Sequence, residues 1–298
     1  MVASLLASAI LPTTRAYFVG NSVTDALDYG AFERLFATQG RTLVWGRHTI
    51  PGTPLFLPWQ GAEAGRTDGF VQPPFGNSFQ AMTGYDWDVL TLEPFDRHER
   101  DLNDKGYDEG DLASALRYIA PAFRRNPRLR VLVYARWPRM SVAGKGVVYD
   151  KVAYLDKDRG KSPLPEGLDD WQVLWNRPYT GGWDGTNETK AYFERLSATL
   201  KGATKARVET IPVGHAMAAL DLQMRAGRVP GYSSVWELYN DGIHLNRAGS
   251  YLVGCAFYAA ITRESPRDLS TEPYGIPNDA LARAIREAVA RTARKPGA

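Results

Sequence analysis

The chain has 298 residues, 44% of them hydrophobic and 23% charged, which supplies apolar material for one large core or two small ones and excludes a disordered chain. Its 36 basic and 33 acidic residues leave a formal charge of +3 with both signs scattered, which excludes the clustered basic surface of a nucleic-acid-binding protein. A single cysteine, Cys255, excludes an internal disulfide and a cysteine-built zinc site, and its place in the apolar stretch Tyr251 to Ile261 reads as a buried, inert thiol.

In chain order, the leading "MVASLLASAILP" is apolar but lacks a basic n-region and is too short to cross a bilayer core of about 30 Å. It reads either as the end of a signal sequence, which would make the protein secreted or periplasmic, or as an ordinary leading segment; no membrane partner is expected. Ala16 to Val19 then predicts a buried strand that Gly20-Asn21-Ser22 stops abruptly. A helix follows, with Leu27, Phe32, Leu35 and Phe36 on one face and Gly40 as its stop. Thr42 to Trp45 and Asp88 to Leu92 are the second and third strands. "EGDLASALRYIAPAFRRNP" predicts a helix with Leu112, Leu116, Ile119 and Phe123 inward and two arginines at the end where the helix dipole favours them. Leu129 to Tyr134 and Ala206 to Pro212 complete a set of five strands. "NRAGSYLVGCAFYAAIT" is an apolar helix, and the last helix, with Leu281, Ile285, Ala288 and Val289 on one side and arginines on the other, is an amphipathic cover.

Strands that alternate with helices predict an α/β protein: a three-layer α/β/α sandwich around a central five-stranded parallel sheet, organised as one domain over residues 1–298. Residues 138–185 interrupt the alternation with no clear period and with the aromatics Tyr149, Tyr154, Trp171, Trp175, Tyr179 and Trp183, so they read as an ordered, aromatic-rich insertion.

Two short motifs carry chemistry. Ser22 stands where the first strand hands over to a helix, and Asp241 and His244 stand three apart in a Gly-containing loop before a helix that opens near Asn246. A serine hydroxyl is a poor nucleophile until an imidazole takes its proton, and the imidazole needs a carboxylate to fix its tautomer and stabilise the charge it gains. Ser22 also fits a helix N-cap, and Asp241 and His244 fit a cap and a satisfied loop histidine.

The pair of motifs, Gly20-Asn21-Ser22-Val23-Thr24 and Asp241-Gly242-Ile243-His244, resembles the SGNH hydrolases, also called GDSL esterases and lipases. The resemblance implies a flavodoxin-like sandwich with a catalytic serine at Ser22, a base at His244 and an orienting carboxylate at Asp241, and it needs no cofactor and no metal. It further implies an oxyanion hole made by the Ser22 amide, a glycine amide after the second strand, for which Gly52 comes first and Gly46 second, and an asparagine side chain after the third strand. There the chain departs from the family. Where the family has Gly-x-Asn-Asp, this sequence has Glu93 at the glycine, Phe95 at the asparagine and Asp96 after it.

Glu93 reads either as an active-site carboxylate or as a structural partner for Arg97, Arg136 or Arg139, since a buried glutamate needs a cation in either role. Asn21, Glu93, Asp96, His98 and Trp137 are the candidate pocket residues. His48, His98 and His215 lack metal-ligand spacing, and "NET" at Asn187 matches a glycosylation acceptor. Three functions fit: a serine esterase that removes an acyl group such as acetate from a carbohydrate, with the tryptophan-rich insertion stacking on sugar; a glycoside-cleaving enzyme using Glu93 with Asp96 or Asp241; and a carbohydrate-binding protein without turnover. The expected partner is a small molecule or an oligosaccharide.

Overall fold

A computed structural model describes residues 11–94, 110–142, 146–147, 164–179 and 188–293. Strands β1 (Thr13–Gly20), β2 (Thr42–Thr49), β3 (Phe70–Val71), β4 (Val89–Leu92) and β5 (Arg130–Tyr134) are followed by a separate two-stranded pair, β6 (Ser141–Val142) and β7 (Gly146–Val147), and then by β8 (Arg207–Ile211). The main sheet has the order β3-β2-β1-β4-β5-β8. The five strands expected from the sequence all form and pair in parallel. The sheet corrects the expected count by one: β3 adds an antiparallel edge, pairing Val71 with His48 and Phe70 with Thr49. A strand of two residues has no apolar run to betray it.

The helices are α1 (Tyr29–Thr38), α2 (Phe56–Glu63), α3 (Ser78–Gly84), α4 (Asp111–Arg125), α5 (Trp171–Trp175), α6 (Lys190–Ala203), α7 (Val213–Arg225), α8 (Arg247–Thr262) and α9 (Ala280–Thr292). Helices α2, α3, α4 and α6 pack together on one face of the sheet, and α1, α7, α8 and α9 on the other, which makes three layers. Because β1 and β4 lie between two covered faces, Ala16 to Val19 and Val89 to Leu92 are buried throughout, and the strands read as unbroken apolar runs.

Helix α1 ends as expected, with Gly40 at φ +64°. Helix α4 is rolled away from the expected face. Ala115, Tyr118, Ile119 and Ala122 are buried, whereas Leu112, Leu116 and Phe123 are partly covered. The roll brings the Tyr118 hydroxyl to the Leu55 carbonyl at 2.7 Å, an anchor that apolar periodicity does not weigh. Helix α8 is buried nearly all round, and burial pushes the Cys255 thiol up to about 12, as an inert thiol requires. The leading segment before residue 11 and Asn187 lie outside the described residues.

The insertion is not without regular structure. It carries β6, β7 and α5, and Trp171 and Trp175 turn inward to full burial, tilted against each other at 5.8 Å. Their indoles therefore close the core under the insertion and offer no face to a sugar. Trp183 lies outside the described residues.

Among the parallel strands the order changes direction at β1, which has β2 on one side and β4 on the other. The crevice beyond the carboxyl ends of such a pair is where open α/β sheets bind ligands. Ser22 follows β1 and Glu93 follows β4, so both lie at that switch point.

Candidate active site

The serine loop is shaped by what surrounds it. A Cβ on Gly20 would lie 2.0 Å from Thr24 Oγ1 and 2.8 Å from Glu93 Cβ, so only glycine lets the chain close over the Glu93 side chain. Asn21 is buried: its Oδ1 accepts from the Val23 amide at 2.9 Å and its Nδ2 donates to the Thr53 carbonyl at 3.3 Å. The amides of Asn21, Val23 and Thr24 are thus engaged by Glu93, Asn21 Oδ1 and the Asn21 carbonyl, while the Ser22 amide donates to no described residue. Ser22 follows on a turn into a short 3-10 helix, Thr24–Leu27.

The second loop is a tight reversal before α8. Tyr239 bridges Leu245, and the Asn240 amide donates to the His244 carbonyl at 2.7 Å. Asp241 organises the turn: its Oδ1 accepts from the Ile243 and His244 amides, each at 2.7 Å, and its Oδ2 lies 2.7 Å from His244 Nδ1. Burial pushes the Asp241 carboxyl up, but the hydrogen bonds from the His244 ring and the two amides outweigh it and hold the group below the usual carboxylate range. An ionised carboxylate only accepts, so Nδ1 carries the ring proton and Nε2 is left with a lone pair. That Nε2 lies 3.0 Å from Ser22 Oγ. Hydroxyl, imidazole and carboxylate are therefore in one hydrogen-bonded line, as the two motifs required.

The structure moves other candidates away from the pocket. Trp137 is fully buried and its indole donates to the Ile243 carbonyl at 2.7 Å, so it supports the histidine loop from beneath and does not line the cleft beside Ser22. Glu93 is only 1% exposed, and its cation is Arg136, with Nε 3.0 Å from Oε1. Burial pushes Glu93 up to about 8 against the opposing pull of Arg136 and of the Asn21 and Thr24 hydrogen bonds. Arg136 also pairs with Glu188 at 2.9 Å, and Glu188, buried but held by Arg136 and Arg139, drops to about 2. Gly46 lies inside β2 opposite Tyr17, where a Cβ would meet the tyrosine ring at 2.7 Å, so it is a packing glycine and not a loop donor. Gly52 does follow β2, at φ +67° in the turn whose Thr53 carbonyl receives Asn21. Asp96, His98, Phe95 and Arg97 lie outside the described residues. His48 bonds Ser78 Oγ at 3.0 Å and the Asp68 carbonyl at 2.8 Å, a satisfied core histidine.

A cleft of 620 Å³ opens beside Ser22 and His244. Its wall carries residues that sequence motifs do not point to: the Asp25–Arg47 ion pair at 2.8 Å, Trp45 stacked on Tyr29 at 4.7 Å, and Asn240. Asn240 is 5% exposed, and its carboxamide bonds no described residue. The only sequence signal for it is adjacency to Asp241. A separate cavity of 480 Å³ near Tyr232 and Glu237 touches none of these groups. Among the described residues no cluster of histidine, cysteine and carboxylate side chains could hold a metal ion, and no helix is long and apolar enough to cross a membrane.

No protein-family model and no curated protein matches the chain. Solved structures do. A DUF4886 family protein from Bacteroides uniformis superposes with a TM-score of 0.60 at 15% identity, covering 94% of both chains. The periplasmic domain of a lipopolysaccharide acetyltransferase from Salmonella Paratyphi A gives 0.44 at 14% identity over 85% of each chain. A carbohydrate esterase family 2 enzyme with its carbohydrate-binding domain, from Corynascus, gives 0.39 at 14% identity over 86% of this chain and 68% of that one. At such identities the first likeness concerns the fold alone, and the other two are too distant to add to it. The chain thus shares a three-layer α/β/α fold with the DUF4886 family protein, and its serine loop closing β1 and its Asp-x-x-His turn opening α8 lie where the resemblance to the SGNH hydrolases implies.

Proposed function

We propose that the protein is a serine esterase of the SGNH type that removes a short acyl group, such as acetate, from a carbohydrate. The observation that carries the reading is the continuous contact from Ser22 Oγ to His244 Nε2 and from His244 Nδ1 to Asp241 Oδ2. Ser22 Oγ attacks the ester carbonyl while its proton passes to His244 Nε2. The tetrahedral intermediate then expels the alcohol, which takes that proton, and leaves an acyl-enzyme; His244 next draws a proton from water as the water oxygen attacks the acyl carbon, and returns that proton to Ser22 Oγ as the Oγ–acyl bond breaks and the acid leaves.

The negative charge appears only on the carbonyl oxygen of the intermediate. In this reading the Ser22 amide receives it, with Gly52 as second donor, and each such donor is worth roughly 3 to 4 kcal/mol of barrier. The substrate class is supported by the cleft and not by the insertion's tryptophans. Aliphatic lining is sparse, which suits a short acyl group, while Asn240, the Asp25–Arg47 pair and the Trp45 ring suit hydroxyls and the apolar face of a sugar.

A glycoside-cleaving role is disfavoured by the burial of Glu93, since a carboxyl sealed behind the serine loop reaches no glycosidic oxygen. Release of acetate from acetylated oligosaccharides, compared with Ser22→Ala, tests the proposal. Acetate release by the native chain and none by the variant is expected. Equal release by both, or cleavage of the glycan backbone, would contradict it.

A further inference from the structure

The two loops that supply Ser22 and His244 share one direct hydrogen bond among the described residues, the Ser22–His244 contact itself. What otherwise ties them runs underneath, through the segment that follows β5. On the serine side, Glu93 Oε2 accepts from the Asn21 amide at 3.2 Å and from Thr24 Oγ1 at 3.3 Å, and Glu93 Oε1 meets Arg136 Nε at 3.0 Å. On the histidine side, the Trp137 indole donates to the Ile243 carbonyl at 2.7 Å and the Met140 amide to the Gly242 carbonyl at 2.8 Å. The Tyr239 hydroxyl adds a bond to the Pro138 carbonyl at 2.8 Å. Glu188 clamps the segment from behind, accepting from Arg136 Nη2 at 2.9 Å and from the Arg139 amide at 3.0 Å.

We infer that residues Arg136–Met140 form a strut that sets the serine loop against the histidine loop, with Glu93 and Arg136 as positioning residues for the Ser22–His244 contact. The inference rests on the esterase reading for its kinetic consequence and on geometry for its cause. Buried guanidinium–carboxyl contacts seldom stabilise a core more than apolar packing of the same volume would, so a chain that keeps Glu93, Arg136 and Glu188 at 5% exposure or less keeps them for direction. Hydrogen bonds at each loop, joined through the close Glu93–Arg136 contact, fix the loops where apolar contacts would let them slide. A displacement of about 1 Å at a nucleophile can cost on the order of 100-fold in rate. This is the place in the fold where the sequence departs from the Gly-x-Asn-Asp pattern: Glu93 occupies it as an anchor.

The test uses the whole chain and four variants. Glu93→Ala and Arg136→Met remove the anchor; Thr24→Val removes one hydroxyl with little change of volume, and Thr24→Ser restores it. Turnover of p-nitrophenyl acetate is measured beside thermal melting, and crystal structures of the wild type and of Thr24→Val are determined. The strut predicts that kcat falls about 10-fold or more in folded Glu93→Ala and Arg136→Met with KM within about twofold, and that Thr24→Val loses activity which Thr24→Ser regains. It also predicts a Ser22–His244 separation in Thr24→Val that has opened beyond hydrogen-bonding reach. Variants that melt lower but keep wild-type kcat, or a Thr24→Val structure with the contact unchanged, would overturn the strut. A wild type that turns over no ester would overturn the esterase reading instead, and the crystallographic comparison would still decide the strut. Should Glu93→Ala and Arg136→Met fail to fold, the Thr24 pair alone decides between the two outcomes.

Discussion

His244 Nε2 lies 3.0 Å from Ser22 Oγ although 222 positions of chain separate the two residues. The sheet closes that distance. β1 sits at its centre and delivers Ser22 to the carboxyl edge, while α8 starts at the same edge and is preceded directly by the turn that holds His244. Asn246 fixes that start by capping α8, its Oδ1 accepting from the Gly249 amide at 3.1 Å and its Nδ2 donating to the Glu237 carbonyl at 2.9 Å.

Asp241→Asn tests the tautomer assignment. The substituted side chain keeps an oxygen for the Ile243 and His244 amides, so the turn persists, but it presents an N–H donor to His244 Nδ1. The ring proton then moves to Nε2, which can no longer accept from Ser22. Folding measured by melting should stay near that of the wild type, while kcat on a simple ester falls by about 10⁴-fold.

Gly20→Ala should abolish activity through sterics alone. The added methyl would lie 2.0 Å from Thr24 Oγ1 and 2.9 Å from Glu93 Oε2, and the strand end cannot yield on both sides. Loss of ester turnover in a variant that still shows native far-ultraviolet circular dichroism is the expected result.

Much of this fold and site is legible in the sequence, and the reasons differ by residue. Five strands announce themselves because their apolar runs are long enough to be seen against the helices between them. Ser22, Asp241 and His244 are legible because they sit in short loops whose glycines mark them, and the fold brings the three side chains into contact. Glu93 can be read as needing a cation, but three arginines offer themselves in the sequence, and only the fold selects Arg136. Trp137, Trp171 and Trp175 mislead: an aromatic in an irregular segment gives no hint of which way it turns, and all three turn into the core. Asn240, Trp45 and the Asp25–Arg47 pair escape notice because a cleft wall assembled from separate elements leaves no spacing to read.

The two glutamates on Arg136 predict opposite pH trends. Glu188 drops from 4.5 to about 2 on folding, so its contribution to stability is complete above 4.5 and is lost as pH falls toward 2. Glu93 rises from 4.5 to about 8, so the folded state keeps a proton that the unfolded state has released, and stability declines as pH rises from 4.5 through about 8. Denaturant titrations across this range should show the alkaline decline flattened in Glu93→Gln and the acid decline flattened in Glu188→Gln.

Trp175 and Trp45 should separate stability from recognition. Trp175 is fully buried between Trp171 and Phe193, so Trp175→Ala should cost roughly 3 to 5 kcal/mol in denaturant titration. Trp45 stands in the cleft wall, and Trp45→Ala should raise KM for an acetylated oligosaccharide several-fold while leaving p-nitrophenyl acetate turnover near that of the wild type.

Mapping the adduct of a fluorophosphonate probe by mass spectrometry tests the central claim most directly, because the probe reacts only with a serine whose proton has somewhere to go. A Ser22 activated by His244 predicts a single adduct on Ser22 in the native chain and none in His244→Ala. A folded native chain that stays unmodified, or that carries the adduct on another residue, would contradict it.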